Sequence, residues 1–270
     1  MSSRFPGIFA RAKAQGRCAL IPYITVGDPS LDDTVAIALE LARAGADIVE
    51  LGVPFSDPVA DGPVIQAASE RSLARGTRLA DVLSVARKIR RQSEVGLLLF
   101  SYYNPILKYG LSAFAREAAA AGCDGALVTD LIPEESLPYR AAARDAGLDT
   151  VFLAAPTSPD ARLQAIAGAS TGFIYAVSRL GVTGARAEVA SGAEELVQRL
   201  RQQSPLPVAL GFGLSRAEQV RQVANFADGA VVGTALVAAI ANAPPGGSAA
   251  AAGEFLRSID PAASLKHEHR

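Results

Sequence analysis

The sequence predicts an α/β protein: a single (β/α)8 TIM barrel with an extra N-terminal helix and a C-terminal helix. Three observations carry this. Short apolar runs rich in Val, Ile, Leu and Phe alternate with longer segments of helical period along most of the 270 residues. The runs lack polar alternation, which marks strands covered on both faces, as in parallel sheets. One helix-to-strand turn also recurs: AGAD at Ala44–Asp47, AGCD at Ala121–Asp124 and AGLD at Ala146–Asp149 each set a glycine at the helix C-terminus.

In chain order, Ser3–Gln15 reads as a short helix closing the bottom of the barrel. The strands are read at Cys18–Ile24, Asp47–Gly52, Gly96–Ser101, Gly125–Thr129, Thr150–Ala154, Gly172–Val177, Val208–Leu210 and Gly229–Val232. Amphipathic helices are read between them at Asp32–Ala44, Val64–Arg75, Leu111–Ala121, Glu134–Ala146, Asp160–Ala167, Gly192–Gln202, Arg216–Ala224 and Ala235–Asn242. Eight such units in about 240 residues fit a barrel. The competing doubly wound sheet needs a glycine-rich first turn, and TVGDPS has one glycine. Asn242–Ser248 (NAPPGGS) reads as a Pro/Gly linker into a last helix, Ala249–Ser258, and 260–270 as a polar tail. No second domain boundary is visible, so 1–270 reads as one domain.

Half the residues are hydrophobic, which excludes intrinsic disorder, and a formal net charge of -1 lacks the excess that nucleic-acid backbones require. No run approaches the ~18 apolar residues of a membrane helix, and Met1–Arg11 holds no signal-peptide core. Two cysteines, Cys18 and Cys123, at strand beginnings, read as structural thiols in a reducing cytoplasm.

Active groups of such barrels lie at strand C-termini and in the loops beyond. Glu50 sits between Val49 and Leu51 at the end of the second strand, and the following loop adds Asp57 and Asp61. Paired carboxylates in unlike environments divide acid and base roles; desolvation raises Glu50 while a wetter Asp stays ionised. Taken alone, Glu50 could equally be a buried, hydrogen-bonded structural carboxylate. Three glycine-rich strand ends follow late in the chain: SRLGVTG from Ser178, GFG from Gly211, and Gly233-Thr234 at a helix start. Together they suggest an anion site. Both histidines, His267 and His269, lie in the tail, so the barrel has no His-based metal site or Ser-His triad. None of Lys13, Lys88, Lys108 and Lys266 falls in a strand run, so a Schiff-base aldolase lacks its residue. What remains is a phosphorylated small molecule handled by carboxylates.

The segments ELGVPFSDPVADGPVIQ, SYYNPILKYG, SRLGVTGAR, GFGLS and DGAVVGTAL, in order from about Phe5 to Phe255, resemble the tryptophan synthase alpha subunit family. The resemblance implies a lyase that cleaves indole-3-glycerol phosphate to indole and glyceraldehyde 3-phosphate, with no cofactor in this chain. It implies a beta-subunit partner carrying pyridoxal phosphate, in an α2β2 assembly. By motif, Glu50 is the acid/base at indole C3 and the C3′ hydroxyl, and Asp61 holds the indole N–H. Tyr175 stands beside the Glu, and Tyr23, Phe100, Leu127 and Phe212 line the indole slot. Gly184, Gly213, Gly233 and Thr234 take the phosphate, while Gln66, Asp130 and Thr183 tune the loops. Pro54–Asp61 and Gly181–Arg186 are expected to close over substrate, and Asn104–Lys108 to meet the partner. Thr129 and Ile132 stand where the family has Pro, and Thr234 where Ser is common; the first two bear on signalling to the partner. A stand-alone lyase releasing free indole would use the same residues. A non-catalytic phosphate-binding barrel has no need of both carboxylates, and a phosphosugar isomerase has no need of an aromatic slot.

Overall fold

The computed structural model describes residues 3–177, 192–211 and 213–260. Eight parallel strands close into a barrel in sequence order. They are β1 (Ala19–Thr25), β2 (Ile48–Gly52), β3 (Gly96–Ser101), β4 (Gly125–Val128), β5 (Asp149–Ala154), β6 (Ile174–Val177), β7 (Val208–Gly211) and β8 (Gly229–Val232). Each predicted strand is present, with ends displaced by two residues at most. All residues of β1 and β2 are buried, as expected of strands covered on both faces.

The helices before β3 are α1 (Phe5–Ala14), α2 (Leu31–Arg43), α3 (Pro63–Ala74) and α4 (Leu79–Arg90). Between β3 and β6 run α5 (Tyr103–Tyr109), α6 (Leu111–Ala120), α7 (Leu137–Ala146) and α8 (Asp160–Ala169). The remainder are α9 (Ala193–Gln203), α10 (Ala217–Ala224), α11 (Thr234–Ala241) and α12 (Ser248–Ile259). The α4 and α5 helices were not read from the sequence; they double the helices between β2 and β3 and between β3 and β4. The predicted helix Glu134–Ala146 is divided into a 3-10 turn, Pro133–Glu135, and α7. Pro138 has no N–H for the carbonyl of Glu134, so the regular helix starts at Leu137. The three repeated turns hold Gly45, Gly122 and Gly147 at φ 105°, 87° and 70°, the left-handed region that ends a helix.

The bottom of the barrel is plugged by α1. Phe5, Ile8 and Phe9 enter the interior, and the rings of Phe5 and Phe9 each lie 5.4 Å from that of Phe173. Glycines make the space: a Cβ on Gly96 would come 2.8 Å from Ile8 Cδ1, and one on Gly125 2.7 Å from Phe5 Cε2. An aspartate at the start of an even strand then ties it to the strand before. Asp47 accepts from Leu20 N–H, Asp124 from Leu97 N–H and Asp228 from Val208 N–H, at 2.8–2.9 Å. Asp124 also accepts from Arg4, at the N-cap of α1, and from Arg90 in α4, so the plug and the wall share one buried carboxylate. At the chain's other end, α12 packs on α2 and α11, with Arg257 paired to Glu40 at 3.0 Å.

Phe5 is wholly buried against the barrel floor, far from the C-terminal mouth. Phe5→Ala should therefore destabilise the protein by about 3–5 kcal/mol, the usual range for a buried Phe truncation. Urea unfolding would measure it, and a loss below about 1 kcal/mol would show that the floor collapses around the gap.

Candidate active site

The interior filled from below opens above into a cavity of about 200 Å³. Glu50 and Asp61 both line it, with Tyr23, Phe100, Tyr175, Gly213, Gly233 and Thr234. The strand pairing explains the convergence. Tyr23 of β1 pairs with Glu50 of β2, so both project inward at the C-terminal half of the barrel. The tyrosine tips reach the mouth because their neighbours lack side chains. A Cβ on Gly52 would lie 2.2 Å from the Tyr23 hydroxyl, and one on Gly211 2.4 Å from that of Tyr175. Tyr23 meets Phe100 edge to face at 5.2 Å, making one aromatic wall.

Glu50 is 1 % exposed, and its Oε1 has no hydrogen-bond partner among the described residues. Burial alone pushes its carboxyl up to about 8. Asp61 is less enclosed. Burial raises it to about 6, opposed by a hydrogen bond that Tyr102 Oη donates to Oδ2 at 3.1 Å. The two carboxyls are thus held apart at neutral pH, one protonated and one charged. Asp61 is drier than the sequence reading supposed, yet still ionised at pH 7. Burial, reinforced by the nearby carboxylates, also keeps the Tyr23 and Tyr175 phenols protonated.

Several sequence-selected residues are placed elsewhere. Asp57 is exposed and bonded to Ser56 Oγ, so only Asp61 of that loop joins the cavity. Leu127 does not line the cavity; it is wholly buried in the barrel interior with Leu98 and Val151. Its pairing partner is Val151, and the lining residues on that side are Thr129 and Leu153, each two residues nearer the mouth. Gln66 Nε2 donates to the Asp61 carbonyl at 2.8 Å, and Asp130 Oδ1 accepts from Tyr103 N–H at 2.7 Å, so both hold loop backbone. At Thr129 the backbone N–H donates to the Ser101 carbonyl at 2.9 Å, a bond that a proline there could not make. Thr183, Gly184, Phe212, the segment Gly181–Arg186 and the tail histidines lie outside the described residues.

Sequence reasoning missed Ile65, Thr129, Leu153, Val177 and Val231 as lining, and Tyr102 as the donor to Asp61. The inward alternation along β5 and β6 could have found Leu153 and Val177, two residues beyond Val151 and Tyr175. Nothing in the sequence pointed to Tyr102. Among the described residues, no three His, Cys, Asp or Glu side chains gather where they could hold one metal ion. Cys18 and Cys123 are free and buried, and burial lifts their thiols to about 11 and about 12.

A closed parallel barrel with two carboxyls of unlike protonation in an apolar, aromatic slot defines a (β/α)8-barrel enzyme of acid–base type. The family model for the tryptophan synthase alpha chain matches residues 9–258, and the chain belongs to that family. A tryptophan synthase alpha chain from Solibacter usitatus is 52% identical over 235 residues, covering 87% of this chain and 88% of that one. One from Roseiflexus castenholzii is 47% identical over 94% of this chain and 98% of its own. Among solved structures, tryptophan synthase of Mycobacterium tuberculosis superposes with a TM-score of 0.88 at 41% identity, covering 96% of this chain and 99% of that chain. The alpha subunit from Legionella pneumophila gives 0.88 at 36%, covering 98% and 100%.

Burial of Glu50 has a sign that stability can report. Its folded-state value, about 8, lies above the 4.5 of an open chain. Between these values the folded protein keeps a proton that the unfolded chain releases. The contribution is complete below pH 4.5 and is lost as pH rises through 8. Glu50→Gln removes this dependence, so the variant should gain on the parent by up to ~1.4 kcal/mol per pH unit across the window. Denaturation at pH 5 and pH 8 would measure the gain; parallel curves at both would show that Glu50 is not held neutral.

Proposed function

We propose that this chain cleaves indole-3-glycerol phosphate to indole and glyceraldehyde 3-phosphate, with Glu50 and Asp61 as the catalytic pair. The observation that carries the assignment is the buried, unpartnered Glu50 carboxyl facing the same slot as a charged Asp61. The indole ring enters between Tyr23, Phe100, Leu153 and Tyr175, and the phosphate goes to the mouth. There Gly213, Gly233 and Thr234 line the cavity, and Thr234 opens α11, whose first N–H groups have no partner within the helix. By motif, Gly184 joins this phosphate set, Phe212 the indole slot and Thr183 the loop that closes over them.

Protonated Glu50 donates to indole C3, which makes the ring a cation and C3 tetrahedral. The Asp61 carboxylate accepts the ring N–H and stabilises the positive charge. Glu50, now a carboxylate, takes the proton of the C3′ hydroxyl. The C3–C3′ bond breaks, its electron pair restores the aromatic ring, and C3′ becomes the aldehyde. Glu50 ends protonated, as it began, so the cycle needs no external proton. Remote binding of the phosphate fixes the reacting bond over Glu50. Closure of Pro54–Asp61 and Gly181–Arg186 over the substrate would exclude water.

The chain acts beside a beta subunit that carries pyridoxal phosphate and receives the indole, in an α2β2 assembly in the cytoplasm. Support comes from apolar side chains exposed on consecutive loops of the mouth. Val59 follows β2, Leu107 lies in α5 after β3, and Ile132 and Leu137 follow β4, at 41–85% exposure. Asn104 and Lys108 are exposed beside Leu107. No helix among the described residues is long and apolar enough to cross a membrane.

Turnover should be bell-shaped in pH. It falls below about 6 as Asp61 takes a proton and above about 8 as Glu50 loses one. Glu50→Gln should still bind substrate but lose ~10²–10⁴ in kcat, and Asp61→Asn should lower kcat more than it raises KM. A folded Glu50→Gln variant that releases indole within about tenfold of the parent rate would remove Glu50 from the mechanism.

Leu107→Asp, outside the cavity, should leave the isolated chain's indole release unchanged. It should weaken association with an added beta subunit by about tenfold or more, since it places an unpaired charge in an apolar contact. Undiminished association would place the interface elsewhere.

A further inference from the structure

We propose that Tyr102 is the positioning residue of the catalytic pair: its hydroxyl holds the Asp61 carboxylate charged and leaves one oxygen free for the substrate. The inference rests on the reading of Asp61 given above and adds a residue to it. Tyr102 follows β3 and forms the N-cap of α5, with its side chain 2 % exposed. Its ring lies 5.1 Å from that of Phe55, in the loop that carries Asp61. The hydroxyl donates to Asp61 Oδ2 at 3.1 Å and accepts from Ala60 N–H at 2.9 Å. A phenol has one proton to give, and the Ala60 N–H takes up a lone pair. The proton is therefore directed at the carboxylate, and the hydroxyl grips two successive residues of the catalytic loop.

The position of Tyr102 is itself constrained. The next backbone N–H, of Tyr103, donates to Asp130 Oδ1 at 2.7 Å, so the start of α5 is tied to the loop after β4. Thr129 in that loop donates its hydroxyl to the Ser101 carbonyl, at 3.3 Å, just before Tyr102. Tyr102 is the one side-chain donor to Asp61 among the described residues, and Asp61 Oδ1 has no hydrogen bond there. That oxygen is the one available to a ring N–H. Among the described residues, the titratable groups around Asp61 are Glu50 from β2, Tyr23 from β1, Tyr175 from β6 and Tyr102 itself. None of these is a cation, and the Tyr102 hydrogen bond is what favours the charged form of Asp61 there. Burial and the Asp61 charge hold the Tyr102 phenol protonated, so it remains a donor across the working range.

Tyr102→Phe keeps the ring on Phe55 and removes only the hydroxyl. The acid limb of the kcat profile should move up by about half a pH unit or more, the direction expected when a carboxylate loses a donor. KM should change far less than kcat. Carbon-13 NMR of the aspartate carboxyls reads the same group directly, with Asp61→Asn identifying the resonance; its midpoint should rise with the kinetic limb. 3-Fluorotyrosine at position 102, a stronger donor of nearly the same shape, should move both downward. It also serves if the Phe variant fails to fold. A purely structural tyrosine would give no such opposite shifts. An Asp61 midpoint that stays put in both variants overturns the inference, whatever the activity. If instead the midpoint moves while Asp61→Asn keeps the parent kcat, the catalytic reading of Asp61 fails and the Tyr102 contact stands.

Discussion

Glu50 Oε1 is buried inside the barrel without a hydrogen-bond partner among the described residues, and the site depends on that deprivation. A carboxyl taken out of water with nothing to compensate its charge stays protonated. Among the described residues, no arginine or lysine lines the slot to compensate it. A cation beside Glu50 would stabilise the fold and destroy the acid. The protein instead bears a local destabilisation of the kind that functional sites store.

The rest of the barrel supplies what offsets it. Its floor is closed by α1 against glycines, and its lower rim is bound by aspartates that accept strand N–H groups. Those aspartates differ from Glu50 in the partners that meet a carboxylate's charge. Asp124, 3 % exposed, accepts from backbone and from two arginines, so its charge is fully met. The same chemical group is therefore a charged brace at one end of the barrel and a neutral acid toward the other. Environment alone makes the difference.

Asp61 lies between these extremes. It stands on a loop, partly enclosed, with one phenol proton directed at one oxygen. Its loop is pinned by Gln66 from α3 and by Tyr102, while Val59, two residues before Asp61, points to solvent. The segment thus presents a catalytic group on its inner side and an apolar surface on its outer side. Tyr102 and Leu107 repeat the arrangement at the start and middle of α5. The proposed partner face and the proposed catalytic carboxylate are consequently separated by single turns of chain.

The sequence by itself determined the repetition of strand and helix, because buried parallel strands write unbroken apolar runs and several helices stop at a glycine. It also marked Glu50, since a carboxylate within an apolar strand is conspicuous, and Asp61 and the late glycines through their motif. Other features depended on register and on contacts between distant segments. The slot is lined by Leu153 and Thr129 where Leu127 was expected, because all three face inward and only the height of each strand in the barrel separates them. Asp57 and Asp61 are alike in sequence, and the path of the loop decided that one meets solvent and the other the cavity. Tyr102 looked like any aromatic just beyond a strand until folding brought it to Asp61, 41 residues away in the chain. Hydrophobic periodicity records which face of an element is buried, but not which residue of another element it will meet there.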